Sequence, residues 1–345
     1  GEIVEGNKFN SKIININIVE KATGEIFAGL GTGTDGSNIS FGVKENNYLG
    51  RGVLVDGNLS LSDTRAKGKL FISNPNYKNS DKSLNFSVQS SVTDRLSTFG
   101  YKSNVTGMTL GTQFEYLDDL SLGISTRNSV EKITVDSTAS TKQKKQAGNY
   151  FDSFIGLDFY YDKRNQKFQT TSGFLSNYGL NLPVISETNT ITNSYNFKAF
   201  KELYENNVSS ISFLLQSSNS LSGDDIKLSE RLFIPAKKLR GFEGGAVGPK
   251  DGNDYVGGNY LTSINATTTV PMFLENIQTV DVIMFADAAN IWGVDYNSSL
   301  DKGSIRSSVG IGLDWLTPVG PLTFSLAYPI TKEATDREET FRFNI

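Results

Sequence analysis

The chain has 345 residues, with 33 basic and 37 acidic side chains for a net charge of -4, and hydrophobic residues make up 37% of it. It contains no run of about 18 consecutive apolar residues, which excludes a bundle of membrane-spanning helices. The absence of Cys and His excludes thiol nucleophiles, disulfides, Cys/His zinc sites and His-dependent triads, and a pI near 5.2 argues against a nucleic-acid binder, whose footprint is basic.

In chain order, the first segment with a pattern is Lys12-Ile13-Ile14-Asn15-Ile16-Asn17-Ile18-Val19-Glu20, which reads as a strand. No charged-then-apolar leader precedes it, and Lys21-Ala22-Thr23-Gly24 separates it from the rest of the chain. Residues 1–20 are therefore expected to be the end of a separate unit, with 21–345 forming one body. Beyond them apolar residues recur with period two. Ile39, Phe41 and Val43 oppose Ser40, Gly42 and Lys44; Leu84, Phe86 and Val88 oppose Asn85, Ser87 and Gln89. The same alternation runs through Ile155 to Tyr161, Ile211 to Leu215, Val309 to Trp315 and Leu322 to Tyr328. This is the strand signal. Sixteen segments carry it: 24–33, 37–47, 50–62, 66–74, 82–92, 103–116, 119–135, 146–162, 171–182, 193–205, 207–218, 257–270, 278–288, 303–315, 320–330 and 338–345. Short joints such as Leu117-Asp118-Asp119 and Asn206-Asn207 contrast with long polar connections at 136–145 and 219–256.

The 33 Gly, 22 Phe and 14 Tyr against 8 Pro are too aromatic for a disordered chain, while mean hydropathy is only -0.28. Together these predict an all-β fold, a 16-stranded antiparallel transmembrane β-barrel, because there every second residue faces lipid and the rest face water. A soluble sandwich or propeller is the competing fold, and sixteen alternating strands without a repeat suit closure better. Connections longer than about 15 residues tend to be functional or disordered. The segment 219–256 groups aromatic and charged residues, so it is expected to fold back into the lumen. Arg240 would then need an anionic partner. If Val280, Val282 and Met284 face lipid, then Asp281, Ile283, Phe285 and Asp287 share the lumen face, which makes Asp287 the natural candidate. The plain alternative is an exposed Arg in a mobile loop.

Several motifs then converge. Leu239-Arg240-Gly241-Phe242 resembles the [V/I/L]-R-G-F/Y signature of the sixth external loop in BamA-type outer-membrane insertases. Phe285-Ala286-Asp287-Ala288-Ala289-Asn290-Ile291-Trp292 resembles that family's F-x-D-x-G-x-x-W strand, and Gly257-Gly258-Asn259 is expected to open the strand after the loop. Gly320-Pro321-Leu322-Thr323-Phe324-Ser325-Leu326-Ala327 is similar to the penultimate strand, and Phe341-Arg342-Phe343-Asn344-Ile345 to the last one. Near the start, Asn47-Tyr48-Leu49-Gly50-Arg51-Gly52 looks like the N-x-L-G-x-G turn. The matches run in order along nearly the whole chain.

The resemblance implies a barrel in the Gram-negative outer membrane that folds other barrels into it, without ATP and without catalysis or cofactor. Arg240, Gly241 and Phe242 would form the loop tip, with Asp287 as counter-charge and Phe285 as packing partner. Thr267 stands where some members carry a second acid for the Arg. First and last strands would meet in a weak seam, formed by Gly24, Ile26, Ala28, Gly29, Gly31 and Gly33 on one side and Phe341, Arg342, Phe343, Asn344 and Ile345 on the other. The implied partners are unfolded outer-membrane β-barrel clients, outer-membrane lipids and accessory periplasmic lipoproteins. The lipoproteins would be reached through periplasmic POTRA domains, of which residues 1–20 would be the C-terminal remnant. The glycines independently weaken the first strand, and an unpaired edge is a template for another strand. A related two-partner-type secretion pore or a TamA-like assembly factor shares these motifs, and a diffusion porin is a more distant alternative. Gly31-Thr32-Gly33-Thr34-Asp35-Gly36 fits G-x-G-x-x-G but leads into another strand, so the phosphate-binding rationale fails. Asp251, Asn253 and Asp254 lack EF-hand spacing, and no metal site is expected.

Overall fold

Alternation of apolar and small polar residues builds sixteen strands, each hydrogen-bonded to its neighbour in sequence, in a computed structural model that describes residues 2–5, 11–16, 18–270, 279–301, 303–317 and 320–344. The strands are β1 (Gly24–Gly33), β2 (Gly36–Tyr48), β3 (Val53–Ser62), β4 (Arg65–Asn74), β5 (Ser83–Arg95), β6 (Tyr101–Leu117), β7 (Leu120–Val135) and β8 (Gly148–Asp162). The second half comprises β9 (Gly173–Ile185), β10 (Thr190–Tyr204), β11 (Asn207–Ser220), β12 (Tyr260–Thr269), β13 (Val280–Trp292), β14 (Arg306–Thr317), β15 (Gly320–Thr331) and β16 (Phe341–Asn344). Every pairing is antiparallel, and contact of β16 with β1 closes the barrel. Before it, Glu2–Glu5 and Lys12–Asn15 form a separate two-stranded ladder.

The period-two pattern places Ile39, Phe41, Val43, Met108, Leu110, Ile211, Leu215, Val309 and Ile311 on the outside, where all are exposed. Such an outward apolar band is stable only against lipid. Tyr48, Tyr116, Tyr204 and Trp315 lie at or beside the ends of β2, β6, β10 and β14 and are exposed. In an up-and-down barrel these ends share one rim, and amphipathic rings belong at the level of the lipid headgroups. On that rim the tight hairpins at 118–119 and 205–206 put Asp119 at φ 64° and Asn206 at φ 59°. Asp and Asn tolerate this left-handed backbone, which a two-residue turn needs. The run Gly31 to Gly36 forms the β1–β2 hairpin.

Strand ends shift by a few residues from the expected ones, the ladder strand expected over 12–20 is observed over Lys12–Asn15, and two departures have a visible cause. The strand expected at 257–270 begins only at Tyr260, because Gly258 instead exchanges backbone hydrogen bonds with Leu232 of the preceding loop, at 2.9 and 3.0 Å. The strand expected at 338–345 is broken at Thr340. Glu338 and Glu339 pair with Phe242 and Gly241 of the loop, and only Phe341–Asn344 joins the wall. Ile345 lies outside the described residues.

The barrel's buried core is inside the lumen. Residues 221–259, between β11 and β12, pack Ile234, Leu239, Phe242 and Val247 against Leu214, Leu261, Ala289 and Ile291 of the wall. A second cluster joins Leu228, Ala246 and Tyr255 of the same loop to Phe99, Tyr101 and Ile133. The exposed-loop alternative for Arg240 is therefore not what the chain adopts.

Candidate functional site: the lumenal loop and the seam

The loop tip sits on β13, whose inward residues Ile283, Phe285, Asp287, Ala289 and Ile291 are all buried. The Arg240 guanidinium forks onto Asp287, with Nε donating to Oδ2 at 2.7 Å and Nη2 to Oδ1 at 2.8 Å. The backbone N–H of Arg240 also donates to Oδ2, at 3.1 Å. The Asp287 side chain is 0% exposed and that of Arg240 16%. The guanidinium lies over the Phe285 ring, 3.5 Å from its centroid, an arrangement that adds cation–π attraction to the charge-assisted bonds. Arg240 Nη2 reaches Thr267 Oγ1 at 3.4 Å. Arg240, Phe285, Asp287 and Thr267 thus come together in space.

Asn265, two residues before Thr267 on the same face of β12, completes the group. Its Nδ2 donates to Asp287 Oδ1 and to the Lys238 carbonyl, both at 2.9 Å. Period two applied to Thr267 would have found it. Burial beside this site holds the Lys238 ammonium below the ordinary lysine range.

Gly241 has φ 94° and a Cβ there would stand 3.2 Å from Ala327 Cβ and 3.4 Å from Ser308 Cβ. Ser308 Oγ donates to the Arg240 carbonyl. The turn thus needs both left-handed backbone and close approach, which glycine alone supplies. Gly241→Ala is expected to lose about 1–3 kcal/mol of stability, visible as a lower thermal unfolding midpoint. An unchanged midpoint would show that the turn relaxes freely.

The loop is moored at three further places that the motifs did not signal. Lys227, buried at 2% exposure, pairs with Asp152 of β8, with Glu230 at 3.2 Å and with Glu131 of β7 at 3.7 Å. Burial alone would depress its pKa, but the three carboxylates overcome this and hold it above the ordinary value. Arg231 pairs with Asp295 in the β13–β14 connection. Gly248 N–H donates to Asp336 Oδ1 at 3.1 Å, while Asp336 also receives Arg306 Nε at 2.9 Å. Apart from Glu230, three residues along the chain from Lys227, these partners are brought together by the closed barrel.

The seam is sparse. Asn344↔Gly33 is the one residue pair of the β16–β1 ladder among the described residues. Around it, Thr34 N–H donates to the Phe343 carbonyl at 3.0 Å and Phe343 N–H to Thr34 Oγ1 at 2.9 Å. A Cβ on Gly33 would fall 2.7 Å from the Phe343 carbonyl oxygen, so glycine permits this contact. The other seam candidates on β1 (Gly24, Ile26, Ala28, Gly29 and Gly31) pair with β2 and have no ladder partner among the described residues of β16. Phe27 covers Gly42 of β2, where an added Cβ would overlap its ring. Arg342 is buried on the inner side, and Phe341 is exposed and stacks with Phe343 at 6.2 Å.

A closed antiparallel barrel with an apolar outer band, its longest loop docked on the inner wall, defines a transmembrane barrel of the plugged kind. This chain belongs to the Omp85 superfamily, whose domain it matches over residues 47–345. It is 23% identical, over 99% of its length, to the outer membrane protein assembly factor BamA of Neorickettsia risticii, and 24% identical, over 96%, to that of Neisseria meningitidis serogroup B. It covers 47% and 48% of those proteins, so the chain spans about half the length of the curated relatives it matches. In fold it is similar to BamA from Haemophilus ducreyi lacking POTRA domains 1–3, with a TM-score of 0.87 at 23% identity, covering 94% of this chain and 70% of that one.

Proposed function

We propose that this chain is the barrel of a BamA-type insertase in the Gram-negative outer membrane, which folds client β-barrels by templating them at the seam. The observation that carries this reading is the edge of β1. Among the described residues, Gly24 to Thr32 have ladder partners on the β2 side only. Backbone N–H and C=O groups along such an edge pair with any incoming strand whatever its sequence, the general logic of β-augmentation. Ile26 and Leu30, 85% and 80% exposed, offer apolar surface on the lipid side to the same strand. The work is done by main-chain hydrogen bonding and burial in lipid, with no bond made or broken in the client. Arg240 on Asp287 keeps the loop docked inside while the seam exchanges partners. The Glu2–Glu5 and Lys12–Asn15 ladder fits the edge of a periplasmic POTRA domain, through which accessory lipoproteins would act.

The test exploits the absence of Cys. Cysteines at Thr34→Cys and Phe343→Cys replace residues already hydrogen-bonded across the seam. In liposomes the oxidised barrel is expected to stop inserting an unfolded client, and reduction to restore insertion. Equal insertion by sealed and open barrels would end the templating reading and leave a secretion pore as the better one.

A further inference from the structure

The top of the seam carries an ion-pair cluster that the hydrogen-bond ladder does not require. Arg342 of β16, 6% exposed, points inward. Its Nη1 and Nη2 fork onto Asp35 of the β1–β2 turn at 2.5 and 3.0 Å. Nε donates to Glu339 Oε2 at 2.7 Å, and Nη2 lies 2.6 Å from the same oxygen. One guanidinium therefore holds a carboxylate from each side of the seam, in the planar fork geometry that suits Arg and not Lys. With a single residue pair in the β16–β1 ladder among the described residues, these charge-assisted bonds form a large share of the contact between the two strands there.

Glu339 is itself held by the loop. Its backbone pairs with Gly241, and Glu338 pairs with Phe242. Glu243 N–H donates to the Arg337 carbonyl, and Arg337 N–H to the Ala246 carbonyl, both at 3.0 Å. Gly241 follows Arg240, whose side chain is fixed on Asp287. An unbroken path thus runs from β13 through the loop tip and Glu339 to Arg342 and Asp35. Asp35 and Glu339 also line a chamber of about 730 Å³ between the loop and the β1–β5 wall, so the cluster has room to rearrange without disturbing the lipid face.

We propose that Arg342 is a latch on the seam and that the lumenal loop sets it: a docked loop presents Glu339 to Arg342 and keeps β16 against the β1–β2 turn, while an undocked loop frees it. The coupling is energetic in the usual sense, a two-state element biased from a distant contact. It concerns the barrel at rest and stands apart from the question of which strands the seam admits.

The experiment measures seam width without any client. Spin labels at Phe41→Cys on β2 and Leu326→Cys on β15, both exposed and flanking the seam, report the distance by double electron–electron resonance in lipid nanodiscs. Arg342→Gln is expected to raise the open population about fivefold, the scale of a partly exposed ion pair. Asp35→Asn, at an exposed turn where folding is not at stake, should do much of the same. Asp287→Ala should open the parent seam and add little in the Arg342→Gln background. Unchanged distances in both Arg342→Gln and Asp35→Asn would overturn the latch. An equal effect of Asp287→Ala in both backgrounds would overturn its control by the loop. Since no client is present, either result leaves the templating test to stand or fail by itself.

Discussion

Asp287→Ala is expected to destabilise the barrel by about 3–5 kcal/mol, the cost of removing one partner of a buried charge pair. The substitution strands the Arg240 guanidinium over Phe285 and removes the acceptor used by Arg240 N–H and by Asn265. Since the Asp287 side chain is 0% exposed, its loss leaves the guanidinium without a counter-charge in a site shielded from bulk solvent. Asp287→Asn retains the shape and one acceptor oxygen, so it should lose less. Two measurements check this: the temperature at which the folded band disappears on semi-native gels, and the rate at which added protease cuts residues 221–259. If the Ala variant matches the parent in both, the loop is held by its other moorings and the Arg240 contact is incidental.

Lys227→Met should be comparably severe at neutral pH, about 3–5 kcal/mol, because Asp152, Glu131 and Glu230 would share a buried site with no cation. Adding Asp152→Asn to Lys227→Met should restore part of the loss by removing one of the unpaired charges. The pH dependence has a definite sign. The Lys227 pKa is raised in the folded state, so its contribution is complete below the unfolded lysine value, about 10.4. It is lost as pH climbs through the higher folded value. The parent should therefore shed this increment only in strongly alkaline solution, whereas Lys227→Met should lack that component. A flat parent curve up to the alkaline limit, together with an unaffected Met variant, would remove Lys227 as an anchor.

The strands were legible because lipid on one side and water on the other impose a period of two that no helix shares. Ile39, Phe41 and Val43 announce β2 without any knowledge of its neighbours. Phe285 and Asp287 could be assigned to one face for the same reason, and Arg240 could be matched to Asp287 because a lumenal cation requires a counter-charge. Lys227, Asp152 and Glu131 could not be joined this way. They lie on a loop and two strands whose proximity depends on how the barrel closes, and each alone reads as an ordinary solvated charge. The break at Thr340 was equally hidden. Glu338 and Glu339 satisfy a strand pattern, and which backbone they pair with is decided by the docked loop. Arg342 was visible as a seam residue, but its partner Asp35 stands in a turn where acidic residues are the default.

The ladder between Gly241 and Glu339 also constrains how the chain can assemble. The loop is threaded between β11 and β12, yet it touches β7 and β8 through Lys227, β13 through Arg240, and the connection before β16 through its own backbone. A cylinder closed first and filled afterwards would have to form all of these contacts through its open rim. The docked loop therefore ties the place of the last strand to the inner wall, through the Gly241–Glu339 pairing on one side and Arg240 on β13 on the other. Contacts this distant in sequence make for slow folding, and the loop's pairing with Glu338 and Glu339 couples the seat of the last strand to loop docking.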